Sequence, residues 1–265
     1  MERRRFLALS GSGIATLSGC LDRESATKGA DGTGSDGGTK TTAEGPTATV
    51  ANFDFPEGTG EGGVSDVERL SEQVLDNVET TSFSLDYAAE TTDDDSYEVN
   101  ETARYDPESA EGLTRVQGAS GEQSVNYAIY QSGSMVYMAE QVDGNPEYST
   151  YDLSTSENRF KRRTALDSAR EDVEFIDSFT YAVDGVTVRD GSATAVLTIT
   201  GSVEGGDAWL SDPNGTVYLN EAAWPVEFHW NGTSSTGSLE GNGEFSDIGS
   251  TTIEKPDWVA DAKGS

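Results

Sequence analysis

The sequence predicts an α+β fold, a mainly antiparallel β-sheet of about eleven strands with two helices covering one face. Two observations predict this class. From residue 83 onward, apolar residues recur at every second position in short segments separated by turn residues, as in strands with one solvated face. Only two segments, near 64–80 and 155–173, carry apolar residues at steps of three and four, as amphipathic helices do.

The first helix is predicted over residues 64–80. Ser65 and Glu68 have the S-x-x-E spacing of a capping box, which favours a helix start here. The apolar residues that follow lie three or four positions apart: Val67, Leu70, Val74 and Val78. Charged residues occupy the opposite side, so the stripe is expected to face the sheet.

The strands are predicted to form antiparallel hairpins. Phe83, Leu85, Tyr87 and Ala89 begin the series, and Asp93-Asp94-Asp95 supplies the first turn. A change of parity at Asp184-Gly185 predicts a β-bulge, and Asp190-Gly191 is a typical two-residue hairpin turn. Further strands are predicted at 97–105, 113–118, 123–131, 134–142, 147–152, 179–188, 193–199, 217–220, 225–230, 238–245 and 251–254.

The N-terminal residues have the layout of an export signal. Arg3-Arg4-Arg5 precedes an apolar run over 6–17, which is too short to span a bilayer. The start resembles the twin-arginine export motif, and Leu17-Ser18-Gly19-Cys20 resembles the lipobox of prokaryotic lipoproteins. We therefore expect residues 1–19 to be a signal peptide and Cys20, the only cysteine, to be lipidated. A free structural thiol fits poorly, because no core residues surround Cys20 in the sequence.

Residues 20–63 are expected to be a polar tether and residues 64–265 a single domain. The tether is rich in Gly, Thr, Ser, Ala and Asp, and as a random coil it would hold the domain about 35 Å from the membrane. Asn52-Phe53-Asp54-Phe55-Pro56 is its only apolar interruption. That interruption either docks on the domain or has no structural role.

The composition is strongly acidic. The chain has 48 acidic and 17 basic residues, a net charge of −31, and only five lysines among its 265 residues. Such a surface repels phosphate backbones, so nucleic acid is not an expected partner. Disorder would remove the hydrophobic periodicity, which the second half of the chain retains. High acidity with scarce lysine resembles the proteins of salt-loving archaea.

The order of these parts resembles that of lipoproteins with the LolA/LppX-like fold, especially uncharacterised haloarchaeal surface lipoproteins. Phe245-Ser246-Asp247-Ile248-Gly249 and Pro256-Asp257-Trp258 resemble their C-terminal end. The resemblance implies a curved half-barrel whose concave face is closed by helices, with an apolar cavity between. Periodicity cannot tell such a cavity from a filled core. The candidate cavity residues are Tyr87, Tyr97, Tyr127, Met135, Tyr137, Phe228 and Trp230.

No catalytic or metal-binding motif is present in the sequence. His229, the only histidine, alternates with Phe228 and Trp230 and is expected on the solvent side of its strand. We therefore predict no catalytic residue, no metal ligand and no cofactor. Three Asn-x-Thr glycosylation sequons begin at Asn100, Asn214 and Asn231.

Two functions follow as hypotheses, and both place the protein on the outer face of the cell membrane, held by lipidated Cys20. The first is a non-catalytic protein that binds an apolar, lipid-like ligand in a half-barrel cavity. The second is a protein-interaction or envelope-maintenance module with a solid core and no small ligand.

Overall fold

The computed structural model describes residues 49–91, 96–120, 123–142, 144–155, 164–189, 191–203, 210–234 and 237–264. The predicted signal peptide, Cys20 and most of the predicted tether lie outside the described residues. So do the turn at Asp93-Asp94-Asp95 and Asp190 of the predicted hairpin turn. None of the helices in the described ranges is long and apolar enough to cross a membrane.

An antiparallel sheet of eleven strands dominates the structure. It is curved and open, so the predicted fold class is confirmed. The strand order is β8-β7-β6-β5-β4-β3-β13-β12-β11-β10-β9. The strands are β3 Phe83–Thr91, β4 Tyr97–Asp106, β5 Glu111–Ser120, β6 Gln123–Ser132, β7 Met135–Val142, β8 Asn145–Asp152, β9 Phe179–Arg189, β10 Ser192–Ser202, β11 Ser211–Asn220, β12 Pro225–Ser234 and β13 Gly237–Ser246. A separate short hairpin precedes them, formed by β1 Thr59–Gly60 and β2 Gly63–Val64.

The pairing of β9 with β10 confirms the predicted bulge. Val196 lies opposite Gly185 and the next residue, Leu197, lies opposite Val183, so Asp184 is skipped in the register. The skipped residue restores the alternation that the sequence breaks at this point.

Helix α1, Val67–Thr80, packs on one face of the sheet, which we call the inner face. The predicted stripe is confirmed, since Leu70, Val74 and Val78 are buried in the main core. The predicted cap is wrong by one residue. Asp66 is the N-cap, and its side chain accepts a hydrogen bond from the Arg69 amide at 3.0 Å. A carboxylate there also interacts favourably with the positive end of the helix dipole.

Helix α2, Ala165–Val173, lies on the same face and contacts β4 and β5. It begins at Ala165, after a capping box in which Thr164 and Asp167 satisfy each other's amides. Residues 156–163 of the predicted helix lie outside the described residues. A 3-10 segment, Glu174–Ser178, continues it to β9 and buries Phe175 and Ile176.

The apolar interruption before α1 docks on the domain. Phe53 is buried in the main core, with its ring centroid 4.9 Å from that of Phe55. The Asp54 amide donates to a Glu221 carboxylate oxygen at 3.1 Å.

The C-terminal residues 247–264, which we call the C-terminal arm, cross the opposite, outer face. Helix α3, Val259–Ala262, buries Val259 and Ala262 against Leu113, Tyr130 and Tyr137. The Thr150 hydroxyl donates to the Ala262 carbonyl at 2.8 Å. The strand predicted at 251–254 is wrong, because these residues pair with no strand and instead lead the chain to this patch.

Candidate functional site

Two aromatic rings of β12 lie over glycines of β13 at the inner face. Phe228 is directly opposite Gly243, and Trp230 is directly opposite Gly241. A Cβ atom at position 243 would lie 2.2 Å from Phe228 Cζ, and one at position 241 would lie 2.4 Å from the Trp230 ring. The glycines are therefore required for the rings to cover the strand.

These rings form a cluster with two further aromatic residues. Phe175 of the 3-10 segment has its ring centroid 4.9 Å from that of Phe228 and 6.3 Å from that of Trp230. Tyr87 lies on the other side, 6.3 Å from Phe228. We call Tyr87, Phe175, Phe228 and Trp230 the aromatic cluster. All four are buried, so this part of the inner face is solid.

Beyond the aromatic cluster the inner face is apolar but incompletely covered. The register places Val99 opposite Gly118, and Gly118 opposite Val125, in the same row as Gly241 and Ala89. A Cβ atom at position 118 would lie 2.4 Å from the Glu98 carbonyl oxygen, so glycine is required here for the close approach of β5 to β4. We call this surface the apolar shelf; Ala89, Tyr97, Val125, Tyr127 and Leu239 are half-buried, and Val99 is buried among them.

One acidic side chain lies among these apolar rows. Glu101 is 6% exposed and sits on the inner face of β4, between Tyr87 of β3 and Val116 of β5 in the register. Sequence reasoning missed it as an inner-face residue. Its odd position, shared with Val99 and Ala103, was the available signal.

The structure brings together five of the seven predicted cavity residues and separates the other two. Tyr87, Phe228 and Trp230 belong to the aromatic cluster, while Tyr97 and Tyr127 belong to the apolar shelf. Met135 and Tyr137 lie on the outer face of β7, beneath the C-terminal arm. The Lys263 ammonium is 5.4 Å from the Tyr137 ring centroid.

The largest pKa shifts among the described residues belong to two buried tyrosines. Burial raises the pKa of Tyr130 to about 12, helped by the hydrogen bond that its hydroxyl donates to Glu111 at 2.6 Å. Burial, and the nearby Asp177 carboxylate, also raise the pKa of Tyr181, whose hydroxyl donates to the Ile176 carbonyl. Both hydroxyls therefore stay neutral at ordinary pH and act as structural donors.

The outer face of the central strands is polar. His229 is exposed there, as predicted, and Arg189 bridges to Glu227 at 2.8 Å. A shallow cleft of about 500 Å³ is lined by Glu90, Asp212, Asn214, Asn231 and Glu240, among others. In the described part of the chain no group of three or more histidine, cysteine or acidic side chains is placed to hold a metal ion.

These features define a class of protein, an open curved antiparallel sheet with helices packed on an apolar inner face. The chain belongs to a Family of unknown function (DUF7537), whose model matches residues 5–262. No curated protein matches the sequence significantly.

Several solved structures are similar to this chain. A LolA superfamily protein from Nitrosomonas europaea has 12% identity over 73% of this chain and 96% of its own, with a TM-score of 0.27. A chain of the Pseudomonas aeruginosa MucA/MucB complex has 10% identity over 73% of this chain and 60% of its own, with a TM-score of 0.35. A DUF1329 family protein from Desulfovibrio piger has 10% identity, coverages of 72% and 95%, and a TM-score of 0.25.

Proposed function

We propose that this protein is a non-catalytic, lipid-anchored extracellular protein that binds an apolar, lipid-like ligand on the apolar shelf. The observation that carries the proposal is the incomplete burial of five of the six shelf residues, although the shelf is on the same face as the helices and the main core. Covering half-buried apolar area with an acyl or isoprenoid chain would release roughly 25 cal/mol per Å².

The arrangement of the inner face favours an elongated ligand. The aromatic cluster forms a solid wall at one end of the shelf, since Phe175 closes over Phe228 and Trp230. From that wall the row runs through Ala89, Val99 and Gly118 to Val125, so apolar residues follow one another across four strands. A flexible hydrocarbon chain can lie along such a row of apolar residues.

The ligand is tested by mass spectrometry of organic extracts from protein purified without detergent, in the salt at which it is folded. We expect a bound lipid in the wild type and at least a tenfold lower amount in the Val125→Glu variant. Burying a carboxylate under an apolar chain costs more than about 1.4 kcal/mol, the free energy that corresponds to a tenfold change in affinity.

Ser124→Glu is the matched control, because it adds the same charge one residue earlier on the exposed outer face of β6. It should retain the wild-type amount of lipid. Wild-type protein that is always empty, or equal losses in the two variants, would contradict lipid binding on the shelf.

The anchor is tested separately. The supports for it are the basic and apolar leader, the single Cys20 after Leu17-Ser18-Gly19, and a family match that starts at residue 5 and so includes the leader. We expect Cys20→Ser to be released to the medium or held unprocessed, since no other residue could take the lipid. Cell fractionation checks this, with Ser18→Ala as the control that keeps the cysteine. A processed, membrane-bound Cys20→Ser protein is incompatible with the anchor.

A second function is favoured by a different observation. The aromatic cluster fills its part of the inner face, as a protein-interaction module with a solid core would. Cross-linking in intact cells that recovers one dominant protein partner, from a protein that carries no lipid, would favour this function over ligand binding.

A further inference from the structure

All three glycosylation sequons lie in strands and present their functional groups on the outer face. Side chains two residues apart in a strand point to the same side, so an Asn-x-Thr strand sets the amide beside the hydroxyl. The middle residue points to the inner face, as buried Glu101 does. The outer-face pairs are Asn100 with Thr102 on β4, Asn214 with Thr216 on β11, and Asn231 with Thr233 on β12.

Two of these sequons meet at one place. Asn214 and Asn231 are direct partners across β11 and β12. Such partners have Cβ atoms about 4.5–5.5 Å apart, which is about the width of one sugar ring. Two glycans attached here would compete for the same space.

The surface beside this pair is already shaped as a polar hollow. The row continues from Asn231 to Glu240 of β13 and then to Glu90 of β3. Both asparagines and both glutamates line the cleft of about 500 Å³, together with Asp212, Thr233 and Ser238. Carboxylates and hydroxyls accept hydrogen bonds from sugar hydroxyls. The three carboxylates also repel an acidic sugar.

The two asparagines differ in access. Asn214 is exposed and directly follows a register break in β11, where Asp212 has a φ of 50°. Asn231 is half-buried and is paired on both sides, with Asn214 and with Glu240. Asn214 is thus the better acceptor, while Asn231 forms part of the wall of the hollow.

We propose that Asn214 is N-glycosylated, that Asn231 is not, and that the first sugar is neutral and rests in the hollow. The proposal rests on the extracellular location proposed above. The donor would be a lipid-phosphate-linked glycan. The bond from the sugar C1 to Asn214 Nδ2 forms as the bond from C1 to the carrier phosphate oxygen breaks, and one Nδ2 proton leaves with the carrier.

Glycopeptide mass spectrometry tests this on the wild-type protein, expressed with its leader in an exporting cell that has an N-glycosylation system. We expect a neutral hexose-type sugar on Asn214 and bare Asn231. Asn214→Gln should lose that mass increment completely, and Asn231→Gln should keep it. Occupancy of Asn100 in the same samples reports whether the transferase reaches the protein.

The outcomes separate this proposal from the proposed function. Modified Asn231, an acidic first sugar, or bare Asn214 in protein whose Cys20 is lipidated would overturn the glycan site alone. Protein that stays inside the cell with its leader uncleaved would overturn both. Because the sites are mapped on the wild type, the result does not depend on a variant that folds.

Discussion

Replacing Phe228 by alanine is expected to destabilise the domain by about 3–5 kcal/mol, the range for removing a large buried aromatic side chain. Phe228 is 1% exposed, packs against Phe175 at 4.9 Å, and covers Gly243 on the neighbouring strand. Its removal would leave a cavity bounded by two strands and the 3-10 segment. The segment is joined to α2 at one end and to β9 at the other, so it cannot easily move in to fill the cavity. Denaturant unfolding in the salt at which the wild type is folded measures the loss.

His229→Ala is the matched control, since His229 is the next residue and is exposed on the outer face. Its effect should stay within about 0.5 kcal/mol. A loss as large as that of Phe228→Ala would mean that β12 is sensitive for reasons other than inner-face packing.

The contact between Phe228 and Gly243 also predicts non-additivity. Gly243→Ala alone forces a Cβ atom into the Phe228 ring, which is held in place by Phe175. In the Phe228→Ala background that space is free, so Gly243→Ala should cost clearly less than it does in the wild type. Equal costs in the two backgrounds would show that the ring does not rest on the glycine.

Replacing Val259 by aspartate is expected to detach the C-terminal arm and to lower the free energy of unfolding by roughly 3 kcal/mol. The side chain of Val259 is fully buried against Leu113, Tyr130 and Tyr137. A carboxylate cannot remain there unpaired, but the arm can leave the sheet. The loss is therefore limited to the docking free energy of the arm, chiefly the burial of one valine and of parts of Trp258 and Ile253.

Ala260→Asp adds the same charge at the next residue, which is exposed. Limited chymotrypsin digestion distinguishes the two variants, because cleavage after Trp258, which packs on the outer face beside Val259, requires the arm to leave the sheet. We expect rapid cleavage in Val259→Asp and wild-type resistance in Ala260→Asp. Resistance in both variants would contradict the idea that Val259 holds the arm.

The first helix shows how far local sequence patterns reach. Its stripe of Leu70, Val74 and Val78 and its end at Thr80 could be predicted, because both depend only on spacing along the chain. The cap could not be resolved. Ser65 and Asp66 are both good N-cap residues, and the fold decides between them by placing the Ser65 hydroxyl on the Gly58 carbonyl at 3.2 Å.

Met135 and Tyr137 are residues whose face of the sheet local sequence patterns did not predict. In β6 and β7 consecutive residues are buried, Ile129 beside Tyr130 and Val136 beside Tyr137, because a core lies on each side of these strands. Alternation then carries no information about which face is which. The distant C-terminal arm covers the apolar residues of the outer face here, and its position is not encoded in the local sequence.

Most of the candidate site likewise depends on contacts between distant parts of the chain. The alternation predicted that Tyr87, Phe228 and Trp230 point to one buried face. It could not predict that Phe175 would close over them, since that contact joins a 3-10 segment to a strand about fifty residues later. The alternation along β4 places Glu101 on the inner face with Val99 and Ala103, but a charged residue is ordinarily expected at the surface.

The strand order has a consequence for how the chain folds. Strands β3 to β8 form one meander of six consecutive strands, and β9 to β13 form a second meander of five. Each meander needs only hairpin contacts, whose loop-closure entropy is small. A single seam joins them, where the last strand, β13, pairs with the first of the sheet, β3, along residues 239–246 and 84–91. The entropic cost of long-range contact is therefore concentrated at that seam, which makes its closure the expected slow step of folding.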